Sequence, residues 1–542
     1  MKKLLLTLTT VILAMTAFSA VSFAEDDVLS ILGDKQDGKA NPNAAKEKQG
    51  VDVSPFKALF PKLTPDQNMF FALLSQGENE KALLEYFATF QKSAAGQTPN
   101  GKALLAYLFI KNDMKILGVE SLFKNVEPEK LGPALASAIR AELSDTDPVW
   151  KLARIDWKAK WTEVFSPSIE VQVKSKKIFT AKDIEELKNV IKVSAPNTRD
   201  RGAIQWQLVL ALEMHGDSVM AAKLLNALMT SKENPVQTDL MNLTAARMLF
   251  ENGYMDAAIK YYKKIPTKSE FWLDAQEETG WAYIRKGEPQ NTLAATQSLI
   301  IPELQNIVGP ETVFLRSLAL LKVCDYGNVV KTLAMFKDRF RPRTVEMLKI
   351  IDNPEQPVVK DFFAKMQTKR LKLTELGGMA AKLPRLVTRD ESLYQDLVLA
   401  RELGKEGAIA QGIFGRSLAN GTSKVGFQAE VEIFKNDTMA QVAAANNAAY
   451  GRLKTLAQEE VSDTHRLLQK LHIVEAEVLQ QSASARKVTA ATKDSKAIEK
   501  RGSTGSTARD TISFPAEDGQ VWFDEIANYK VDVVKGCQAI KN

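Results

Sequence analysis

Histidine and cysteine are scarce in this chain, three and two residues among 542. That scarcity leaves little material for imidazole catalysis or a Cys/His metal centre. None of His215, His465 and His472 stands at a metal-ligand spacing. His465 and His472 lie seven apart near Glu475 and Glu477, which one solvated face of a charged helix explains as well. A glycine-rich phosphate loop is missing too, because the glycine pair in "ELGGMAAKL" has no lysine followed by serine or threonine at the required offset. No nucleophile elbow is present. The acidic pairs Asp26/Asp27, Glu185/Glu186 and Glu459/Glu460 read as ordinary exposed carboxylates. The expectation is a protein that is not an enzyme, with no cofactor and no metal.

Charge of one sign is lacking as well. Lysine and arginine number 72 against 66 acids, for a formal net charge of +6, and the two kinds interleave. A nucleic-acid binder clusters its basic residues on one face, so nucleic acid is not an expected partner. The one long apolar run, Leu4 to Phe18, follows Lys2 and Lys3 and precedes "AVSFA", the pattern of a secretory signal peptide over residues 1–24. It falls short of the roughly 20 apolar residues a spanning helix needs. Cleavage near Ala24 would leave a periplasmic or secreted chain with no transmembrane span, and without a following cysteine for lipid attachment. In such a compartment Cys324 and Cys537 are free to pair. The alternative is a buried Cys324 and a loosely held Cys537, and sequence alone does not supply the geometry that decides.

What is present is a periodic helical pattern. Gly253 and Gly287, each following a predicted helix, stand 34 positions apart. Seven before each glycine are Ala246 and Gly280; four before are Leu249 and Tyr283. Downstream of Gly253 come Ala258, Tyr262 and Ile265, before Pro266 stops the helix. Thr292 and Thr296 replace the alanine and aromatic in the next unit. The offsets recur more loosely at Leu73, Gly77, Ala82 and Tyr86, with Asn112 one unit later, at Leu212, Gly216, Ala221 and Leu225, and at Ser317, Leu320, Val329 and Leu333, where Cys324 takes the glycine's place. This 34-residue pattern resembles the tetratricopeptide repeat (TPR). The resemblance covers residues 55–340 and implies a right-handed solenoid of helix hairpins that binds peptides or protein partners. The expected fold class is therefore all-α, a TPR-like helical-repeat solenoid followed by a long helical hairpin and a small C-terminal cap with some strand.

Around the repeats the composition shifts. Residues 25–54 include "GDKQDGKANPNAAKEKQG", which lacks large apolar side chains and reads as a flexible linker. Residues 341–481 form a second helical region, in which Pro342, Pro354, Pro357 and Pro384 punctuate shorter helices. A proline-free run then follows to Pro515. Glu391 to Ser482 reads as an antiparallel hairpin turning within Leu418 to Gly426. Its long helix, Asp437 to Gln481, carries Leu453, Leu467, Leu471, Val474 and Val478 partly in heptad spacing, which leaves pairing within or between chains open. Residues 482–511 read as a polar linker. Residues 512–542 read as a small cap in which Tyr529, Val531 and Val533 alternate like a strand.

Two stretches invite a functional reading. In "SDTDPVWKLARIDWKAKWTEVF", Trp150, Trp157, Trp161 and Phe165 are spaced by seven, four and four, and on one helix they would share a face. Trp157 and Trp161, among basic residues, are candidates for a glycan or acidic-partner surface; the alternative is that they pack against a neighbouring helix. "SIEVQVKSKKIF" alternates Ile169, Val171 and Val173 like a strand. On the repeats, Tyr254 and Arg285 are candidate partner-surface residues. The order of parts also resembles periplasmic TPR proteins of bacterial motility or envelope machinery. The expected function is a scaffold for envelope protein partners, with cell-wall glycan binding as the alternative; the sequence does not fix the oligomeric state.

Overall fold

A computed structural model describes residues 50–531 apart from 146, 159, 167–168, 170–178, 194–197, 233, 420–426, 492–513 and 516–526. Nearly all regular structure among them is helical, so the chain is all-α. After α1 (Ser54–Lys57), α2 (Pro65–Ser75) pairs with α3 (Asn79–Glu85), which widens into a π turn at Tyr86–Phe90. Next, α4 (Pro99–Lys111) pairs with α5 (Lys115–Asn125), and α6 (Pro133–Glu142), α7 (Val149–Leu152) and α8 (Trp161–Val164) complete this part. A second run begins with α9 (Ala181–Val193), followed by the pairs α10 (Arg199–Met214) with α11 (Ser218–Thr230) and α12 (Thr238–Glu251) with α13 (Met255–Tyr262). It ends with α14 (Trp272–Lys286) on α15 (Pro289–Gln297) and α16 (Pro310–Lys322) on α17 (Tyr326–Asp352).

One turn geometry joins every one of these hairpins. Gly77, Asp113, Gly216, Gly253, Gly287 and Cys324 all have φ between 60° and 84°. In each case the following N–H donates to the carbonyl five residues back: Glu78 to Leu73, Met114 to Phe109, Asp217 to Leu212, Tyr254 to Leu249, Glu288 to Tyr283 and Asp325 to Leu320. This is the Schellman closure, which satisfies carbonyls that a helix end would leave unpaired. The expected turn residue Asn112 is corrected by one position: Asp113 adopts the left-handed conformation, while Asn112 donates its side-chain amide to the Leu108 and Asn79 carbonyls.

Five residues past each turn, the second helix meets the first at Ala82, Gly118, Ala221, Ala258, Thr292 and Val329, all buried. A Cβ on Gly118 would lie 2.6 Å from Ile110 Cγ1 and 2.8 Å from the Ala106 carbonyl oxygen, so this crossing admits no side chain. Thr292 fits by donating its hydroxyl to the Gly280 carbonyl at 3.0 Å across the hairpin. Thr296 donates within its own helix. These bonds remove the cost of burying two hydroxyls.

Three expectations are revised. The aromatic stretch is not one helix: α7 and α8 are separate, and the non-helical chain between them lets Trp157, Trp161 and Phe165 converge on Phe123. Ile169 lies in a helical turn rather than a strand, and residues 171–173 fall outside the described part. Finally, α17 runs through Pro342 without a break, so the expected boundary between 340 and 341 falls inside a helix. Phe340 and Arg343 are buried on either side of it.

Beyond α17 come α18 (Pro357–Thr368) and two short 3-10 turns, then α19 (Glu391–Ala419) and α20 (Phe427–Ala491). Arg452 pairs with Asp390 at 2.6 Å, a Cβ on Gly407 would lie 3.0 Å from Thr438, and the Phe414 and Phe434 rings lie 5.7 Å apart. As one number rises the other falls, so α19 and α20 are antiparallel partners within the chain. Leu403, Ile413 and Phe414 of α19 join the apolar core of the first hairpins. Leu467, Leu471, Val474 and Val478 of α20 join the core built on Trp281, Phe314 and Phe336. The long hairpin thus reaches from the first helix pairs to the last. At the C-terminal end, β1 (Phe514–Pro515) and β2 (Tyr529–Lys530) pair in parallel. The Ala527 N–H donates to Ser298 Oγ at 2.9 Å, resting this piece beside α15.

Candidate partner-binding site

The residues expected to pack the repeats divide into buried contact positions and exposed turn positions. Ala82, Ala221, Ala246 and Ala258 are fully buried, Tyr262 nearly so. At Gly280 a Cβ would lie 2.7 Å from Leu315 Cδ2, whereas at Gly216, Gly253 and Gly287 it would meet nothing within 4 Å. The first is a contact glycine; the other three are required by their backbone angle. Tyr283, four residues before its turn, supplies the carbonyl that closes it. Cys324 is disulfide-bonded, and Cys537, the only other cysteine, lies outside the described residues.

The four candidate surface residues divide. Trp161 is fully buried and Trp157 half-buried, both ringed around Phe123, so the packing alternative holds for them. Arg285 donates to the Phe250 carbonyl at 3.1 Å and covers the Phe250 ring at 4.5 Å, a link between successive hairpins. Tyr254 is 64% exposed. It sits at the turn between α12 and α13. The preceding turn carries Met214, Val219 and Met220, with Val219 69% exposed. Large apolar side chains on two adjacent turns form an edge left exposed among the described residues. Glu213 and Glu251 lie together there: burial first, and then its neighbour Glu213, push the Glu251 carboxyl up to about 7. Glu213 is raised as well, chiefly by burial, and accepts from Ser218 Oγ.

On the first two hairpins the corresponding edge is covered by α19. Arg416 pairs with Glu80 at 2.8 Å beside the Gly77 turn. Glu406 accepts from the Ile116 and Leu117 N–H groups at 2.8 and 2.9 Å, closing the open N-terminus of α5 beside the Asp113 turn. The chain therefore already uses this edge to seat a helix of its own.

The face formed by the first helices of later hairpins is charged and largely filled. Asp274, Glu277 and Glu278 of α14 sit between Arg247 of α12 and Glu311 of α16. Arg247 forks onto Glu278 with bonds of 2.6 to 3.0 Å, and Arg389 reaches Asp274 at 2.5 Å. Burial raises the Glu277 carboxyl to about 8, with neighbouring Glu311 adding to the shift and Arg385 and the Thr312 hydroxyl opposing it. A Cβ on Gly309 would collide with the Arg385 guanidinium, so that arginine lies flat on the backbone there. Nothing in the local sequence could place Arg385 and Arg389 here, more than seventy residues from their acidic neighbours.

A last feature is a groove of about 420 Å³ between α19 and α20 near their joined end. Leu403, Gly407, Phe414, Phe434, Met439 and Val442 line it, with Lys435 on its wall. The glycine and alanine content of α19 was its only sequence signal.

Among the described residues no group of side chains could hold a metal ion, and no helix is long and apolar enough to cross a membrane. These features define an all-α protein of paired helices with candidate docking surfaces. No protein-family model, no curated protein and no solved structure matches the chain.

Proposed function

We propose that the protein is a non-enzymatic scaffold of TPR-like repeats, a right-handed solenoid working in the periplasm after its leader is removed and binding protein partners of the envelope. The repeated left-handed turn, closed the same way in six hairpins, supports the repeat reading. The partner surface proposed is the turn edge around Tyr254, Val219, Met214 and Met220. The first-helix face, where such repeats bind peptides, is here occupied by Arg385, Arg389 and α20 of the same chain. The carrying observation is that the first two hairpins offer the same edge to α19, while on the next two Tyr254 and Val219 stay exposed among the described residues. No observation favours the glycan alternative, since its aromatic residues are spent in the core.

The test is a photo-reactive side chain at Tyr254 in the living source cell. A few defined envelope proteins should cross-link, and Val219→Asp should abolish the adducts without lowering the melting temperature. An adduct pattern indifferent to Val219→Asp, or no adduct at all, would refute the proposed surface.

A further inference from the structure

The groove between α19 and α20 has an occupant in the chain itself. It is apolar along most of its wall, yet Met439, which lines it, is 57% exposed. Its volume suits a few aliphatic side chains. We propose that it seats the segment Val28 to Leu32, in which four of five residues are large and aliphatic ("VLSIL"), and that Asp26 and Asp27 immediately before it face Lys435.

The tether makes this seat the favoured one. Gly50, the first described residue, abuts Ser75 at the end of α2: a Cβ there would lie 2.1 Å from the Ser75 carbonyl oxygen. Five residues on, Glu80 pairs with Arg416 on α19, two residues past the groove-lining Phe414. The chain therefore enters the fold roughly 20 Å from the groove, judging from backbone and side-chain lengths. Seventeen residues, 33–49, separate the segment from that point. Seventeen residues reach at most about 60 Å when fully extended, so the connection is long enough to span that distance. A short connection of this kind holds the segment at a local concentration on the order of millimolar. Burying four aliphatic side chains is largely offset by the entropy of ordering the segment, so a millimolar effective concentration is what makes this weak binding count. The residues farther back, Leu4 to Phe18, read as a leader that is removed. This inference goes beyond the scaffold reading and does not depend on it.

The experiment places a photo-reactive side chain at Met439 in the full-length, processed protein and maps its adducts by mass spectrometry. The expected adduct joins Met439 to residues 25–35 within a single chain. Its yield should fall about tenfold or more in the Leu29→Asp, Leu32→Asp double variant, at unchanged melting temperature. An adduct that runs as a dimer would put a second copy in the groove and overturn the proposal. So would adducts confined to other segments or to other proteins, the absence of any adduct, or a yield that ignores the two aspartates.

Discussion

Two glycines that look alike in the sequence do different work. Gly253 holds φ at 84° with open space around the missing Cβ, so Gly253→Ala should cost about 1 kcal/mol from the backbone alone. At Gly280 the new methyl would press on buried Leu315, an overpacking cost of about 1 to 3 kcal/mol. Adding Leu315→Val should recover part of the loss at Gly280 and none at Gly253, which denaturant titration of the single and double variants would show. Titration supplies a second residue-scale prediction. The carboxyls of Glu277, Glu251 and Glu406 are all raised by burial, to about 8, 7 and 7. A raised folded pKa favours the protonated group in the fold, so this stability is present below the unfolded value near 4.5 and is lost as pH climbs to about 8. Asp274 is held below its usual range by Arg389 and Arg247 despite its burial, so its contribution is lost only in stronger acid. The melting temperature should therefore fall between pH 5 and pH 8.5. Glu277→Gln should flatten that slope; an unchanged slope would show that Glu277 does not titrate there.

Between elements, one buried ion pair adds to the apolar contacts that join α17 to α20. Arg343 binds Glu460 and also donates to the Ala380 and Leu383 carbonyls, while Glu460 accepts the Arg385 N–H. Removing one partner of such a pair strands the other, at about 3 to 5 kcal/mol. Arg343→Met should show that loss in chemical denaturation, and Arg343→Met with Glu460→Leu should regain most of it. Element scale is also where sequence reading succeeds and fails most clearly. Helix pairs and their small contact residues were legible because each follows from spacing within about forty residues, and the antiparallel α19–α20 hairpin because a turn with two glycines and an asparagine divides a proline-free helical run. Cys324 was legible in the glycine's place, but Asp113 was not, since only backbone angles separate it from its neighbour Asn112 as the left-handed residue. The tryptophans failed differently. A seven, four, four spacing fits a helix face, but a broken path that folds onto Phe123 satisfies it equally. Pro342 misled because proline usually ends a helix, whereas here the flanking Phe340 and Arg343 anchor it in place. The candidate site fared worse than the fold: Tyr254 was found, but Val219 and Met220 gained meaning only once their turn lay beside it.

Across the whole molecule, α19 brings Leu403, Ile413 and Phe414 back to a core begun by Phe56. A chain ending at Asn353 would expose that face. It should bind a hydrophobic dye and lose protection from hydrogen exchange in α3 and α5; native-like protection in the truncated chain would show the first hairpins to be self-sufficient. An array of hairpins that touch only their neighbours is an elastic body: pulled at its ends it opens like a spring, one unit at a time. Here the long hairpin grips both the first pairs and the last, much as a brace ties the two ends of a bow. Load applied along the array passes into α19 and α20 instead of peeling hairpins apart, so the molecule should yield abruptly, at one high force, and transmit a pull with little stretch.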